Sequence, residues 1–278
     1  LSKIQIVTDS SVRLTNDEIK KYEIEVVPLR IDVDGHNYID GVEISPEEFV
    51  NKMKKSKNLP KTSQPPLGDF VGIYSKYASQ NRPVISIHMA ASLSGTVNVA
   101  REAAKISHGE VTVIDSDFTD RAQSFQVLKA AKMAQKGATK DEILKAIEQV
   151  KKETGLYLAF PTLTNLIKGG RISRVTGMMS TLIRLKLIVK LENQQLIPVK
   201  KTRGMKGIEQ YFNDLVDRIT KIPNLHSVGL SYVDNYEFGK KFEDKIRRVR
   251  PDVSTLLSET GPVIATHAGD KALAIIYY

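Results

Sequence analysis

The sequence contains no cysteine, which excludes disulfides, thiol catalysis and thiolate zinc sites. No stretch approaches the ~20 consecutive apolar residues that a membrane-spanning helix requires. The opening residues run directly into Lys3-Ile4-Gln5-Ile6-Val7, without the basic and then apolar regions of a secretory signal. Together with the missing cysteine, this points to a cytoplasmic protein; a leucine at position 1 points to a trimmed start. The motifs of the familiar enzymes are missing too. There is no G-x-x-x-x-G-K-[ST] loop, and no G-x-G-x-x-G follows a strand. Neither G-x-S-x-G nor H-E-x-x-H occurs. The histidines, His36, His88, His108, His226 and His267, are scattered without metal-ligand spacing. The chain thus offers no catalytic residue set, no metal site and no cofactor motif, and a self-contained hydrolase, dehydrogenase or NTPase is poorly supported.

What is present describes a globular protein of two domains. A length of 278 residues exceeds the ~100–200 typical of one domain, and 41% hydrophobic with 26% charged residues is an ordinary globular balance. The formal net charge of +9 is concentrated in one place. Ten Lys and Arg fall between Lys168 and Lys206, opposed by Glu192 alone, and the remainder of the chain balances. So local a basic segment is either a solvated face or a surface that meets phosphate, nucleic acid, a membrane or an acidic protein.

Periodicity predicts the elements. Residues 3–8 alternate like a strand and stop at the turn Asp9-Ser10-Ser11. The β-branched run Ile24 to Val33 breaks at Asp34-Gly35, a hairpin signal. Ser45-Pro46-Glu47-Glu48 opens a helix with an N-cap, a first-turn proline and acids against the dipole. A polar loop is expected over Lys57 to Leu67, then alternating helices and strands up to the capping box Thr139-Lys140-Asp141-Glu142. Strands alternating with helices predict a mostly parallel sheet covered on both faces. From Leu156 the pattern becomes that of a mixed sheet, with a hairpin about Glu192-Asn193-Gln194. The fold class is therefore α/β: an N-terminal α/β domain over residues 1–155, in which the region 54–81 is allowed to pack on the second domain, and a C-terminal α/β domain over 156–278.

Hydroxyl-rich turns at element ends stand out as candidate sites. One is Thr62-Ser63-Gln64-Pro65; another is Ser92-Leu93-Ser94-Gly95-Thr96, between a strand and a helix. At that helix start the free N–H groups and dipole favour an anion, and Gly95 permits close approach of a ligand. Ser and Thr are equally the ordinary helix caps. Gly261 to Gly269 reads as a short apolar strand running into His267, a side chain that can donate to a carboxylate. In Lys168-Gly169-Gly170-Arg171, glycines place an arginine on a turn. The stretch Val175 to Leu187 is amphipathic, and its Met178 and Met179 suit either core packing or a flexible apolar ligand.

In order along the chain, Ile6-Val7-Thr8-Asp9-Ser10, Tyr38-Ile39-Asp40-Gly41, Thr62-Ser63-Gln64-Pro65, Leu93-Ser94-Gly95-Thr96, Gly169-Gly170-Arg171-Ile172, Lys201-Thr202-Arg203-Gly204 and Ile264-Ala265-Thr266-His267-Ala268-Gly269 resemble the DegV family. Members of that family include the acyl-binding subunits of bacterial fatty acid kinase. The resemblance implies a long-chain fatty acid held between two α/β domains, no cofactor beyond that ligand, and no catalysis without an ATP-binding kinase subunit. It places such a protein in phospholipid metabolism and allows for transient membrane contact. Thr62, Ser63, Ser94, Gly95 and His267 resemble the residues around the carboxylate, and Arg171 and Arg203 those that face the partner or its phosphate. The final motif departs from the family in carrying Asp270 and Lys271 where glycine is usual. Two other functions compete. A nucleic-acid-binding regulator would use the basic segment, but the chain has no helix-turn-helix or zinc-finger spacing. A stand-alone enzyme would act on a small anion at the Ser94 turn and would turn over without a second protein.

Overall fold

A strand covered on both faces is buried without alternation, and β1 (Gln5–Asp9) is buried at every position, its polar Gln5, Thr8 and Asp9 included. The computed structural model describes residues 4–177 and 185–278. After β1 the chain forms α1 (Asn16–Tyr22), β2 (Glu25–Val27), β3 (Arg30–Val33), β4 (His36–Ile39) and α2 (Pro46–Lys55). There follow β5 (Lys61–Ser63), α3 (Leu67–Ala78), β6 (Val84–His88), α4 (Thr96–Ile106), β7 (Val111–Asp115), α5 (Asp120–Gln135) and α6 (Lys140–Glu153). Strands β2, β1, β6 and β7 form a four-stranded sheet in that order, and every pairing in it is parallel. Val7, Val27 and Val84 pack against Phe70 and Tyr74 of α3 and Ala100 and Ala103 of α4. On the opposite face Ile6, Ile85 and Ile87 meet Val127 and Ala131 of α5 and Ile143 and Ile147 of α6. Helices therefore cover both faces, as the alternating pattern predicts.

The second half contains β8 (Gly155–Phe160), α7 (Thr164–Lys168), a 3-10 turn over Arg171–Arg174, β9 (Lys186–Glu192) and β10 (Gln195–Thr202). It continues with α8 (Met205–Ile219), β11 (Ser227–Tyr232), α9 (Tyr236–Val249), β12 (Ser254–Glu259), α10 (Pro262–Ala268) and β13 (Leu273–Tyr277). Its six strands run in the order β10-β9-β8-β13-β11-β12. The β11–β12 pair is parallel and the others are antiparallel, so the sheet is mixed. Asn193 and Gln194, both at positive φ, make the two-residue β9–β10 turn. One face of this sheet carries α8 and α9, through Phe212, Val216, Phe242 and Ile246. The other face, with Leu156, Phe160, Leu187 and Val189, joins Leu29, Ile31, Phe49, Met89 and Phe125 of the first half in one core.

Two expectations about local structure are corrected. The segment 57–67 is not wholly loop, because Lys61–Ser63 pairs with β3 and completes a small sheet in the order β4-β3-β5. Pairing of so few polar residues leaves no periodic signal. The stretch 261–269 is not a strand but helix α10. Its Val263-Ile264 pair favours a strand locally, yet Pro262 at the first turn and burial of Val263, Ala265 and Ala268 favour the helix. Of the amphipathic stretch from Val175 to Leu187, Met178 and Met179 lie outside the described residues.

Buried polar groups tie these layers together. The Asp9 carboxylate, fully buried at the end of β1, accepts from Ser11 N and Met89 N, both at 3.0 Å, and lies 3.0 Å from His88 Nδ1. His88 Nε2 in turn lies 2.7 Å from Ser86 Oγ, to which Tyr74 donates. Burial alone would raise the Asp9 pKa; the His88 contact and the further donors outweigh it and hold the carboxyl below its ordinary range. Between the halves, Asp120 on α5 accepts from Ser231 of β11 and Thr260 after β12. Removing one partner from a buried carboxylate leaves its charge uncompensated. His88→Ala is therefore expected to lower the unfolding free energy by about 3 kcal/mol in urea titrations, a loss too large for a mere side-chain truncation at a surface.

Candidate ligand-binding site

Between the two halves lies a cavity of about 370 Å³, within the ~300–1,000 Å³ range of small-molecule sites. Much of its wall follows from period-2 alternation in β8. Leu156, Leu158 and Phe160 face the cavity, whereas Tyr157 and Ala159 face the α8–α9 layer. Leu191 of β9, Leu196 of β10, Leu166 of α7 and Leu29 before β3 extend the apolar lining. A further hollow of about 30 Å³ adjoins it and shares Leu156, Leu158 and Ile264 with it.

Apart from Thr119, the polar residues of the wall gather into a ring built from four separate segments. Thr62 lies opposite Ile31 in the β5–β3 register, and Ile31 is wholly buried, so Thr62 points inward. Its Oγ1 lies 3.0 Å from Nε2 of His267 on α10. His267 packs so closely on Gly169 that a methyl group there would collide with Nδ1 and with the Asn165 carbonyl. Here glycine is needed for space, since its φ is an ordinary −76°. Next, Arg171 Nη1 donates to Gly169 O at 2.8 Å, and its Nε reaches Leu93 O at 3.5 Å. Ser94 follows Leu93, with its hydroxyl 2.9 Å from Thr96 Oγ1 and accepting from Thr96 N at 3.3 Å. Gln64, two residues past Thr62, lies against Gly95 and would be displaced by a side chain at that glycine.

The structure thus brings Thr62, Ser63, Ser94, Gly95, Arg171 and His267 to one cavity. Arg203 is not among them; it is exposed on the turn between β10 and α8. Asp270 and Lys271 do not line the cavity either. They form ion pairs beyond it, Asp270 with Lys54 of α2 at 3.4 Å and Lys271 with Asp234 at 2.7 Å. Gln64 and Gly169, which complete the ring, lie in motifs that the sequence singles out, but their roles escape sequence reasoning because each acts through a contact with a distant segment. Among the described residues no three acidic or histidine side chains converge as a metal site, and no helix is long and apolar enough to cross a membrane.

Electrostatically the ring is a set of neutral donors beside one cation. Burial, and then the nearby Arg171 charge, push the His267 pKa down to about 4, so the imidazole is neutral near pH 7. It can then donate to an anion without carrying charge itself. Arg171 has its own pKa lowered by burial and by Arg174, yet a guanidinium stays charged at any ordinary pH. A depressed histidine makes a definite stability signature. Below about pH 6.5 the unfolded chain takes up a proton that the folded chain refuses, so stability falls with pH until about 4. For ligand-free protein, His267→Gln is expected to remove up to about 3 kcal/mol of that acid sensitivity, read as the difference in urea midpoints between wild type and variant from pH 7 to pH 4.5. Parallel curves would contradict the burial of a neutral imidazole.

Comparison with known proteins agrees with this architecture. A family model described as "Uncharacterised protein, DegV family" matches residues 3–278. A DegV domain-containing protein from Streptococcus pneumoniae is 40% identical over 99% of this chain and 98% of its own length. One from Lactococcus lactis is 42% identical over 98% of both chains. Among solved structures, DegV, described as a fatty acid binding protein, from Bacillus subtilis superimposes with a TM-score of 0.92 at 29% identity, over 100% of this chain and 99% of that one. A DegV family protein from Thermus thermophilus, whose structure is described as showing fatty acid binding, gives 0.88 at 27% identity over 99% of each chain. With a family match across the described fold and relatives at 40% identity or more over nearly its whole length, this chain belongs to the DegV family.

Proposed function

We propose that the cavity holds one long-chain fatty acid and that the chain presents its carboxylate to a separate ATP-dependent kinase subunit. The observation that carries this reading is the distribution of chemistry in the wall: leucine, phenylalanine and valine along its length, and a hydrogen-bonding ring at one end. Burying ~15 methylenes at about 0.8 kcal/mol each supplies roughly 12 kcal/mol of gross driving force, from which association costs are subtracted. A carboxylate cannot follow into such surroundings without donors. Thr62, Ser94 and His267 serve it there, with Ser63 and Gly95 at the rim and Arg171 supplying charge. The chain carries no nucleotide loop, so the phosphoryl donor belongs to the partner. A carboxylate oxygen attacks the γ-phosphorus of ATP, the bond to the β–γ bridging oxygen breaks, and ADP leaves with that electron pair. No proton needs to move, and such a transfer depends on positioning and positive charge. Arg203, exposed and outside the cavity, is assigned to the partner-facing surface. The boundary between the halves is assigned to residues 155 and 156, at the very start of β8, and an ATP-dependent partner fits a cytoplasmic place of work.

Mass spectrometry of denatured, solvent-extracted protein is expected to recover about one fatty acid per chain. Absence of lipid above a control protein, with no uptake after delipidation and reloading, would refute the reading. For reloaded protein, Thr62→Ala is expected to weaken palmitate binding about tenfold or more, as loss of a charge-assisted hydrogen bond does. Arg203→Ala should leave that affinity within about twofold of wild type, because the side chain is exposed and does not line the cavity, and solvent and salt screen an exposed charge.

A further inference from the structure

Helix α5 opens on a threonine that does not cap it. Thr119 stands at the N-cap with extended backbone, φ −152° and ψ 179°, where a threonine hydroxyl ordinarily accepts from an N–H two or three residues on. Here it makes no such bond, and Thr119 Oγ1 is buried without a hydrogen-bond partner among the described residues. The residue is only 8% exposed, and it lines both the acyl cavity and the hollow of about 30 Å³ beside it. No member of the polar ring lines that hollow, so Thr119 belongs to a second polar locus. Asp120, Ser231 and Thr260 line the hollow with it. The Asp120 carboxylate, in a residue 3% exposed, accepts from Arg121 N at 2.6 Å, from Ser231 Oγ and from Thr260 Oγ1. An ionised carboxylate has about four acceptor sites, which leaves room for one more donor. Asp120 also sits at a φ of +55°, a left-handed conformation that a buried side-chain-bearing residue holds only where its surroundings impose it.

We propose that Thr119 and Asp120 form a second polar subsite, which recognises a hydroxyl group carried on the acyl chain away from its carboxyl end. The inference rests on the fatty-acid reading above and deepens it by naming a ligand class, hydroxylated fatty acids. An alcohol both donates and accepts. It donates to the Asp120 carboxylate and accepts from Thr119, whose hydroxyl and methyl exchange places by rotation about the Cα–Cβ bond. A hollow of about 30 Å³ has room for one small group of this kind. It does not suit a carboxylate, because no cation lines it and Asp120 repels a second negative charge. The ligand's own carboxylate therefore stays at the ring, and the hydrocarbon extends towards Thr119. A plain chain leaves the Thr119 hydroxyl unmet, whereas a hydroxylated one supplies its partner.

The test uses the delipidated full chain, with thermal melts to verify folding. Stearate and hydroxystearates substituted at the second, tenth, twelfth or terminal carbon are titrated calorimetrically into wild type, Thr119→Val, Thr119→Ala and Thr119→Ser. Valine matches threonine in shape and the lost hydroxyl has no partner, so ligand-free Thr119→Val should melt no lower than wild type. Wild type is expected to bind at least one isomer hydroxylated at the tenth, twelfth or terminal carbon no more weakly than stearate. In Thr119→Val that isomer should lose about five- to twentyfold in affinity while stearate shifts less than about twofold, as when a buried hydroxyl loses a partner. Thr119→Ala repeats the test with a smaller side chain, and Thr119→Ser, which keeps the hydroxyl, should retain the preference. Rejection of all three remote isomers by wild type, with stearate bound, overturns this inference alone. So does a ratio of hydroxystearate to stearate affinity that is unchanged in Thr119→Val and Thr119→Ala. A loss confined to the isomer hydroxylated at the second carbon overturns it too, because Thr119 would then lie at the carboxylate. If neither stearate nor any derivative binds wild type, both readings fall together.

Discussion

An ionised carboxylate cannot be taken into an apolar interior unless donors meet it there, and the penalty for failing to do so exceeds what many buried methylenes return. A cavity that is apolar along its length and polar at one end is the geometric answer. Everything around the ring serves to bring its members together. Thr62 is carried by a three-residue strand whose partner, β3, is anchored by Ile31 in the shared core. His267 is carried by a two-turn helix held through Asn165, which donates to the Thr266 carbonyl at 2.9 Å. Residues 205 apart thus meet at 3.0 Å, and neither half of the chain can form the ring alone.

What the sequence disclosed and what it hid divide along the range of the interactions involved. The caps at Ser45 and Thr139 and the turns at Asp34-Gly35 and Asn193-Gln194 are decided by neighbours a few residues away, and all appear in the structure as read. The two sheets follow from runs long enough to show a period. Helix α10 was legible only in part, because Val263 and Ile264 point one way and Pro262 the other, and burial against the core breaks the tie. Of the candidate site, Thr62, Ser94, Gly95 and His267 stand in recognisable order along the chain. Gln64 and Gly169 stand in the same motifs, but their roles cannot be read there, since their importance lies in what they touch. Arg171 shows the same limit: flanking glycines suggest an exposed turn, while the fold half-buries its side chain against Leu93.

The basic segment also separates into parts once its neighbours are known. Lys186 donates to the Pro161 carbonyl at 3.0 Å, and Lys190 pairs with Glu192, so both are engaged within the second sheet. Arg203 points to solvent. Arg171 lines the cavity at its polar ring, while Arg174 is exposed outside it. A concentration of charge in sequence therefore becomes several local environments in space, and net charge alone describes none of them.

Strand β13 comes last of the strands in the chain, yet it lies in the interior of the six-stranded sheet, between β8 and β11. During synthesis the ribosome releases β8, β9 and β10 as one ribbon and β11 and β12 as another, with nothing to join them. The two ribbons expose facing edges until β13 inserts and pairs with both, a non-local step of the kind that slows folding. Unpaired edges of that kind also invite association with other chains. Leu156 and Leu158 on β8 belong to the cavity wall, so that wall gains its backing only when this strand is in place. A nascent chain can accordingly assemble its first sheet before β13 is made, but it acquires a closed interior compartment only once β13 has paired with both ribbons.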